Sequence, residues 1–199
     1  MSVLIDETTR VLVQGITGNV GSFQTRVMRR HGTRVVAGVT PGKGGTRVDG
    51  VPVFGFVREA AAREPIDAAI SFVPARFALD AALEAIESRI PLLVLTAADL
   101  PVHDVMKILR FARANGVRVL GPDTPGLVAP GRCKLGVHPE RVLREGPIGI
   151  VSKSGALSYE VCKQLTEAGL GQSTVVGIGG GPLWDLDQSD VLCLFEDDP

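Results

Sequence analysis

Between Arg10 and Leu120, short apolar runs alternate with helical patterns five times. The runs are Arg10 to Gln14, Arg34 to Val39, Ala68 to Val73, Leu92 to Thr96 and Val117 to Leu120, and each is nearly continuous hydrophobe. Strands of this kind are covered on both faces, which predicts an α/β fold around a parallel sheet. The intervening helices carry their own signals. Arg76 to Ser88 puts Phe77, Leu79, Leu83 and Ile86 on a helical period. Val102 to Asn115 is opened by Asp99-Leu100-Pro101 and stopped by Gly116. Val51 to Phe54 is a further extended piece, and Val57 to Arg63 a short alanine-rich helix.

Gly15, Gly18 and Gly21 follow the first strand at intervals of three, and a helical pattern then opens near Val20 and runs to Arg30. A strand, a glycine turn and a helix in that order form a site for phosphate or pyrophosphate. The glycines let the backbone come close, and the first helical turn presents unpaired N–H groups. Close packing at a strand-to-helix turn gives the same spacing, so a structural reading of the motif stays open. The second strand ends Gly38-Val39-Thr40-Pro41, with no carboxylate to hold the ribose hydroxyls of a nicotinamide dinucleotide. Lys43 arrives instead, inside Thr40-Pro41-Gly42-Lys43-Gly44-Gly45-Thr46. That segment is a loop at the carboxyl end of a strand, where open α/β sheets place their ligands. A lysine there suits an extra phosphate, as on the ribose of coenzyme A or NADP; a solvated loop lysine is the alternative. It is not a nucleotide P-loop, because Gly44 rather than Ser or Thr follows Lys43.

Residues 1–122 are read as the first domain, 123–146 as linker and loops with a short strand or turn near Lys134 to Val137, and 147–199 as a second domain. In the last segment Pro147 to Val151 and Ser173 to Ile178 are strands, and Leu157 to Ala168 and Asp187 to Glu196 are helices. Ser152-Lys153-Ser154-Gly155, between a strand and a helix, is a second candidate anion nest, with simple helix capping by Ser154 as the alternative. It is not a nucleophile elbow, and no base can be assigned to Ser154, so no catalytic residue is named. Gly179-Gly180-Gly181-Pro182 is a third loop of this type, and three such turns favour a phosphate-rich ligand. About two βα units bury little by themselves. This half is expected to pack on the first domain, to be completed by another chain, or to be a shortened form of something longer.

Composition removes several classes. The net charge is -1, which offers no general basic surface for nucleic acid, and aromatics are 5% of the chain, too few for a base-stacking platform. No apolar run is long enough to span a membrane, and the N-terminus lacks the basic segment of a secretory signal, so a cytoplasmic protein is expected. Cys133, Cys162 and Cys193 suit neither a disulfide framework nor a metal knuckle, and no metal site is expected. Cys162 falls in a helical pattern and reads as a buried apolar residue. His31 reads as a dipole-favoured cap at a helix end. Asp99 and Asp123 read as cap or turn residues.

With these residues in view, the chain resembles the α subunit of succinate–CoA ligase, also called succinyl-CoA synthetase. The similar stretches are Gln14 to Gly21, Gly38 to Thr46, Phe72-Val73-Pro74, Gly121-Pro122 with Pro125-Gly126, Gly149 to Gly155 and Val176 to Gly180, in family order across essentially all 199 residues. The resemblance implies a CoA-binding Rossmann-like domain followed by an incomplete flavodoxin-like domain. It implies that Thr17, Gly18, Asn19 and Val20 cradle CoA phosphates, that Lys43 pairs with a CoA phosphate, and that Val73, Pro74, Thr96, Ala97 and Ala98 lie along CoA. It implies that Ser152, Lys153, Ser154 and Gly155 face a phosphorylated histidine and that Tyr159 lies near a small carboxylic acid. The implied partner is an ATP-grasp β subunit, or another chain that completes the second domain, and the implied reaction joins an acid to CoA at the expense of a nucleoside triphosphate.

Three departures bear on that expectation. The family's phosphohistidine lies beyond position 199, so an isolated chain of this length is expected to be inactive. The family's Thr-Glu-Gly becomes Ala97-Ala98-Asp99, and its Asn-Cys-Pro-Gly becomes Asp123-Thr124-Pro125-Gly126. Asp123 adds negative charge beside a presumptive phosphate site, which is unfavourable unless the acid points away. Whether the chain is an enzyme is therefore left open. Two other readings stand beside the ligase subunit: a non-catalytic CoA or acyl-CoA sensor, and an NADP-linked oxidoreductase.

Overall fold

The computed structural model describes residues 2–198. The first half contains β1 (Arg10–Gln14), α1 (Asn19–Arg30), β2 (Arg34–Val39), β3 (Arg47–Val48), β4 (Val51–Phe54), α2 (Val57–Ala61), β5 (Ala68–Ser71), α3 (Ala75–Glu87), β6 (Leu92–Leu95), α4 (Val102–Asn115) and β7 (Arg118–Leu120). Its seven strands form one sheet in the order β3-β4-β2-β1-β5-β6-β7. All neighbours pair parallel except β3 and β4. That antiparallel edge is a hairpin turned by Asp49-Gly50, both with positive φ (47° and 81°), and its first strand β3 directly follows the loop that ends at Thr46. The Asp-Gly pair is a turn-I′ signal with a backbone twist that suits a hairpin.

The period-two alternation of β1 divides the core. Val11 and Val13 join Ile70, Val94 and Met28 of α1 on one face, while Leu12 joins Ala69 and Leu93 on the other, under Ile86 of α3 and Ile108 of α4. The first face is closed by the second half of the chain. There β8 (Gly126–Ala129), β9 (Cys133–Gly136), β10 (Glu145–Ser152), α5 (Gly155–Glu167), β11 (Gln172–Gly177) and α6 (Gln188–Glu196) build a four-stranded sheet, in the order β10-β11-β8-β9. Leu127, Leu135 and Val176 from this sheet enter the same core as Val11 and Val13.

One expectation changes here. The stretch 123–146 contains both strands of the antiparallel β8–β9 hairpin, a short 3-10 helix at Glu140–Val142 and the start of β10, so it is part of the second sheet rather than a linker. Its glycines and prolines are at the turns and at a close backbone crossing, which hides four-residue strands from any periodicity test. The second half packs on the first sheet through a shared core, one of the arrangements expected for it. Leu183-Trp184-Asp185 reinforces that contact: the Asp185 carboxylate accepts from Val119 N–H at 3.0 Å and from Arg113 Nε at 3.1 Å.

On and just after β9 lies a set of buried bases. Lys134 and His138 are each 1% exposed. Burial pushes the Lys134 ammonium down to about 8, and burial together with the Lys134 charge pushes His138 down to about 3. Both His138 ring nitrogens lack a hydrogen-bond partner among the described residues, and the ring stands edge-on to Tyr159 with centroids 5.3 Å apart. His31 ends α1 as expected, but burial holds its pKa below the ordinary value despite the nearby Glu140 carboxylate at 3.6 Å, so desolvation outweighs the favourable end of the helix.

Candidate functional site

The parallel strands β1, β2, β5 and β6 all end on one edge of the large sheet, and the turns that follow them build the site. Gly15 has φ of 76° and Gly18 is the N-cap of α1 with no side-chain cap bond. The first α1 hydrogen bond runs from Ser22 N–H to the Gly18 carbonyl at 2.8 Å. The N–H groups of Asn19 and Val20 precede it and face outward at a helix start, an anion-binding arrangement. Gly21 allows this turn to close: a Cβ there would press on the Gly15 carbonyl oxygen and come within 2.8 Å of the Gly15 carbonyl carbon.

Thr17 ties this turn to the loop after β2. Its hydroxyl donates to Thr40 Oγ1 at 3.1 Å. The loop is held by its own backbone, with Lys43 N–H on the Thr40 carbonyl at 3.0 Å and Gly45 N–H on the Val53 carbonyl at 2.9 Å. Lys43 itself is exposed and its ammonium takes part in no ion pair among the described residues.

A cavity of about 1440 Å³ opens from the α1 turn across the ends of β2 and β5. Thr17, Gly18, Asn19, Val20, Val73 and Pro74 all line it, so six of the ten residues grouped for CoA are brought together. Gln14 is also in the lining; it is 2% exposed, donates through Nε2 to the Ala81 carbonyl at 2.7 Å, and keeps Oε1 buried without a partner. Lys43 is not in the lining but stands in the neighbouring loop. Thr96, Ala97 and Ala98 are not in it either.

Thr96 lines a second cavity of about 650 Å³ instead, together with Lys153, Ser154, Gly155, Tyr159 and Asp123. The Thr96 hydroxyl is engaged, donating to the Ser71 carbonyl at 2.7 Å. The turn Ser152-Lys153-Ser154-Gly155 uses its hydroxyls internally. Ser154 Oγ caps α5 by accepting from Leu157 N–H, and Ser152 Oγ bonds the Ser154 backbone on both sides. The two hydroxyls therefore serve the turn, and the capping reading of Ser154 describes its contact. Lys153 is the cation of this cavity, with its ammonium 4.5 Å from the centroid of Trp184. Burial holds the Tyr159 phenol above its ordinary pKa. Asp123, in a left-handed turn (φ 57°), lines the same cavity. Sequence reasoning placed Asp123 beside this site, and it does line the cavity. It missed Gln14 and the Trp184 partner of Lys153, neither of which left a signal.

Burial pushes the Cys162 thiol up to about 11 and the Cys133 thiol up to about 12, so neither offers a thiolate. Among the described residues no group of three or more His, Cys, Asp and Glu could hold a metal ion, and no helix is long and apolar enough to cross a membrane.

Residues 6–98 match the family model described as CoA binding domain. The chain is 55% identical over 197 residues to succinate–CoA ligase [ADP-forming] subunit alpha of Methanothermobacter thermautotrophicus, covering 99% of this chain and 67% of that protein. It is 50% identical over 198 residues to subunit alpha 1 of the same enzyme in Archaeoglobus fulgidus, covering 100% of this chain and 68% of the relative. The chain thus spans about two thirds of the length of these relatives. Among solved structures, ATP citrate lyase from Methanothrix soehngenii in complex with citrate and coenzyme A superimposes with TM-score 0.85 at 24% identity, over 98% of this chain and 35% of that one. A dinucleotide-forming acetyl-coenzyme A synthetase of Ca. Korarchaeum cryptofilum gives 0.83 at 24% identity, over 96% and 42%; both are likenesses of fold. On the full-length identity to its curated relatives, this chain belongs to the family of succinate–CoA ligase α subunits.

Proposed function

We propose that this chain is the CoA-binding α component of an NDP-forming acyl-CoA ligase, acting with a nucleotide-handling β subunit on a small carboxylic acid. The observation that carries the reading is the convergence, around one large cavity, of the uncapped α1 start, the Val73-Pro74 turn and a tethered loop bearing a free lysine. The residues fit CoA. Asn19 and Val20 N–H groups can receive a pyrophosphate, and Lys43 can reach the ribose phosphate. When bound, CoA supplies the thiol to which an acyl group is transferred. This chain's own residues orient it. The Thr17–Thr40 bond fixes one anion turn against the other, and the cavity walls keep water from the arm.

Residues 1–122 would form the CoA unit of this assignment and the rest the ligase unit, with the strands at 126–136 counted in the latter. The second cavity would receive the small acid or a phosphoryl group at Lys153, Gly155 and Tyr159. A cytoplasmic setting belongs to the same proposal, since Cys133 and Cys162 are buried free thiols.

Titration calorimetry tests the reading. Lys43→Ala is expected to weaken CoA about tenfold, as loss of one charge-assisted contact does, and to leave dephospho-CoA unchanged. Absence of heat with CoA and dephospho-CoA in the unaltered chain would overturn it. Asp123 favours a second reading, a CoA sensor without turnover, because its carboxylate opposes an anion in the second cavity. Copurification from native lysate separates the two. An associated ATP-grasp subunit that restores acyl-CoA formation supports the ligase; CoA retained with no turnover in that complex supports the sensor.

A further inference from the structure

We propose that Phe56 is the aromatic platform on which the adenine of CoA stacks, an inference that rests on the CoA reading of the first cavity. Phe56 occupies the N-cap of α2, a position that favours Ser, Thr, Asp or Asn because a side-chain oxygen there satisfies free N–H groups. A phenyl ring cannot do this. The N–H groups at this helix start are instead met by two glutamates. Glu59 Oε2 accepts from Gly55 N–H at 3.0 Å and from Phe56 N–H at 3.3 Å, and Glu84 Oε1 reaches across from α3 to accept from Val57 N–H at 2.8 Å. The half-buried Glu84 carboxyl is raised in pKa by that burial, so the arrangement is held against a desolvation cost. A local rule is broken and compensated at length, without packing gain, since the Phe56 ring stays 47% exposed.

The exposed ring faces the first cavity, with Phe56 and Arg58 both in the lining and the Arg58 guanidinium 5.1 Å from the ring centroid. The guanidinium fixes the ring from one side by a cation–π contact and leaves a flat apolar face for a base. Position then selects which part of the ligand meets it. The loop that carries Lys43 lies backbone to backbone on the residue before Phe56: a Cβ on Gly44 would come within 3.1 Å of Gly55 N. In CoA the outlying phosphate and the adenine share one ribose. A lysine for the former and an aromatic ring for the latter must therefore be close neighbours, as they are here. The pyrophosphate and pantetheine run the other way, toward the α1 turn and Val73-Pro74.

Calorimetry on the full chain with CoA and with phosphopantetheine, which lacks the base, decides the matter. Phe56→Ser is expected to weaken CoA about tenfold or more, the usual effect of losing one base–aromatic stack, while phosphopantetheine binds as before. Phe56→Tyr should restore CoA. Because serine is a good N-cap, the thermal midpoint of Phe56→Ser should hold or rise, which separates lost stacking from lost fold. Unchanged CoA affinity in Phe56→Ser, an equal loss for both ligands, or a base-specific loss in Phe77→Ala with none in Phe56→Ser would overturn the proposal. If the unaltered chain binds phosphopantetheine and CoA equally, the platform falls while the CoA reading stands; if it binds neither, both fall.

Discussion

Gly21→Val is expected to abolish measurable CoA binding, a loss greater than about a hundredfold, and to destabilise the chain by about 3 kcal/mol. The position has no room to yield. Its Cβ would press on the Gly15 carbonyl oxygen, approach the Gly15 carbonyl carbon to 2.8 Å and the Ile16 Cα to 3.1 Å, and every one of these atoms is backbone. Backbone cannot swing aside as a side chain can, so either α1 lifts from β1 or the turn opens. Both movements displace the Asn19 and Val20 N–H groups that we assign to the pyrophosphate. They also strain the Thr17–Thr40 bond that aligns the Lys43 loop. Gly21→Ala should show the same effects at smaller size. Urea unfolding followed by the fluorescence of Trp184, the single tryptophan, measures the stability change, and calorimetry measures the binding change. A valine variant that binds CoA normally would show that the α1 turn is not the pyrophosphate site.

The first sheet was legible because its central parallel strands β1, β5 and β6 are buried on both faces and therefore written as continuous hydrophobe. The helix stop at Gly116, which has φ of 68° at the C-cap of α4, was equally plain. The second sheet was less so. Its β8 and β9 are four residues each, and Gly126 and Gly136 mark where the two backbones touch rather than where a loop begins. Contact between distant segments leaves no periodic trace, so the region read as linker. The site divides in the same way. Anion turns are local in sequence, and Thr17 to Val20 and Val73-Pro74 could be grouped before their meeting was seen. Thr96 could not be placed, because only packing decides that the carboxyl end of β6 faces the second cavity, beside Tyr159, rather than the first. Gln14 was hidden by lying in an apolar strand, where a buried amide looks like one more core position.

The buried bases on and after β9 lead to the other large effect, a widening stability gap between His138→Met and the unaltered chain as pH falls. Native His138 binds a proton only near pH 3, whereas in the unfolded chain it does so near its ordinary value of 6.5. Between those values the unfolded state holds more protons, so acid favours unfolding and stability is lost as pH drops from 6.5 toward 3. At pH 5 this single residue withdraws about 2 kcal/mol relative to pH 7 and above. Methionine has nearly the same volume, carries no titrating group and packs well against an aromatic edge, which Tyr159 provides. It also removes two buried nitrogens that have no partner, worth about 1 kcal/mol or more at neutral pH. His138→Met should therefore be modestly more stable at pH 7 and about 2 kcal/mol further ahead at pH 5. Lys134, His31 and every carboxylate titrate alike in both chains and cancel in the difference. Urea midpoints at the two pH values check this. A gap that stays constant with pH would mean that His138 gains its proton in the native state as readily as in the unfolded one, and that its burial beside Tyr159 is not the source of acid sensitivity.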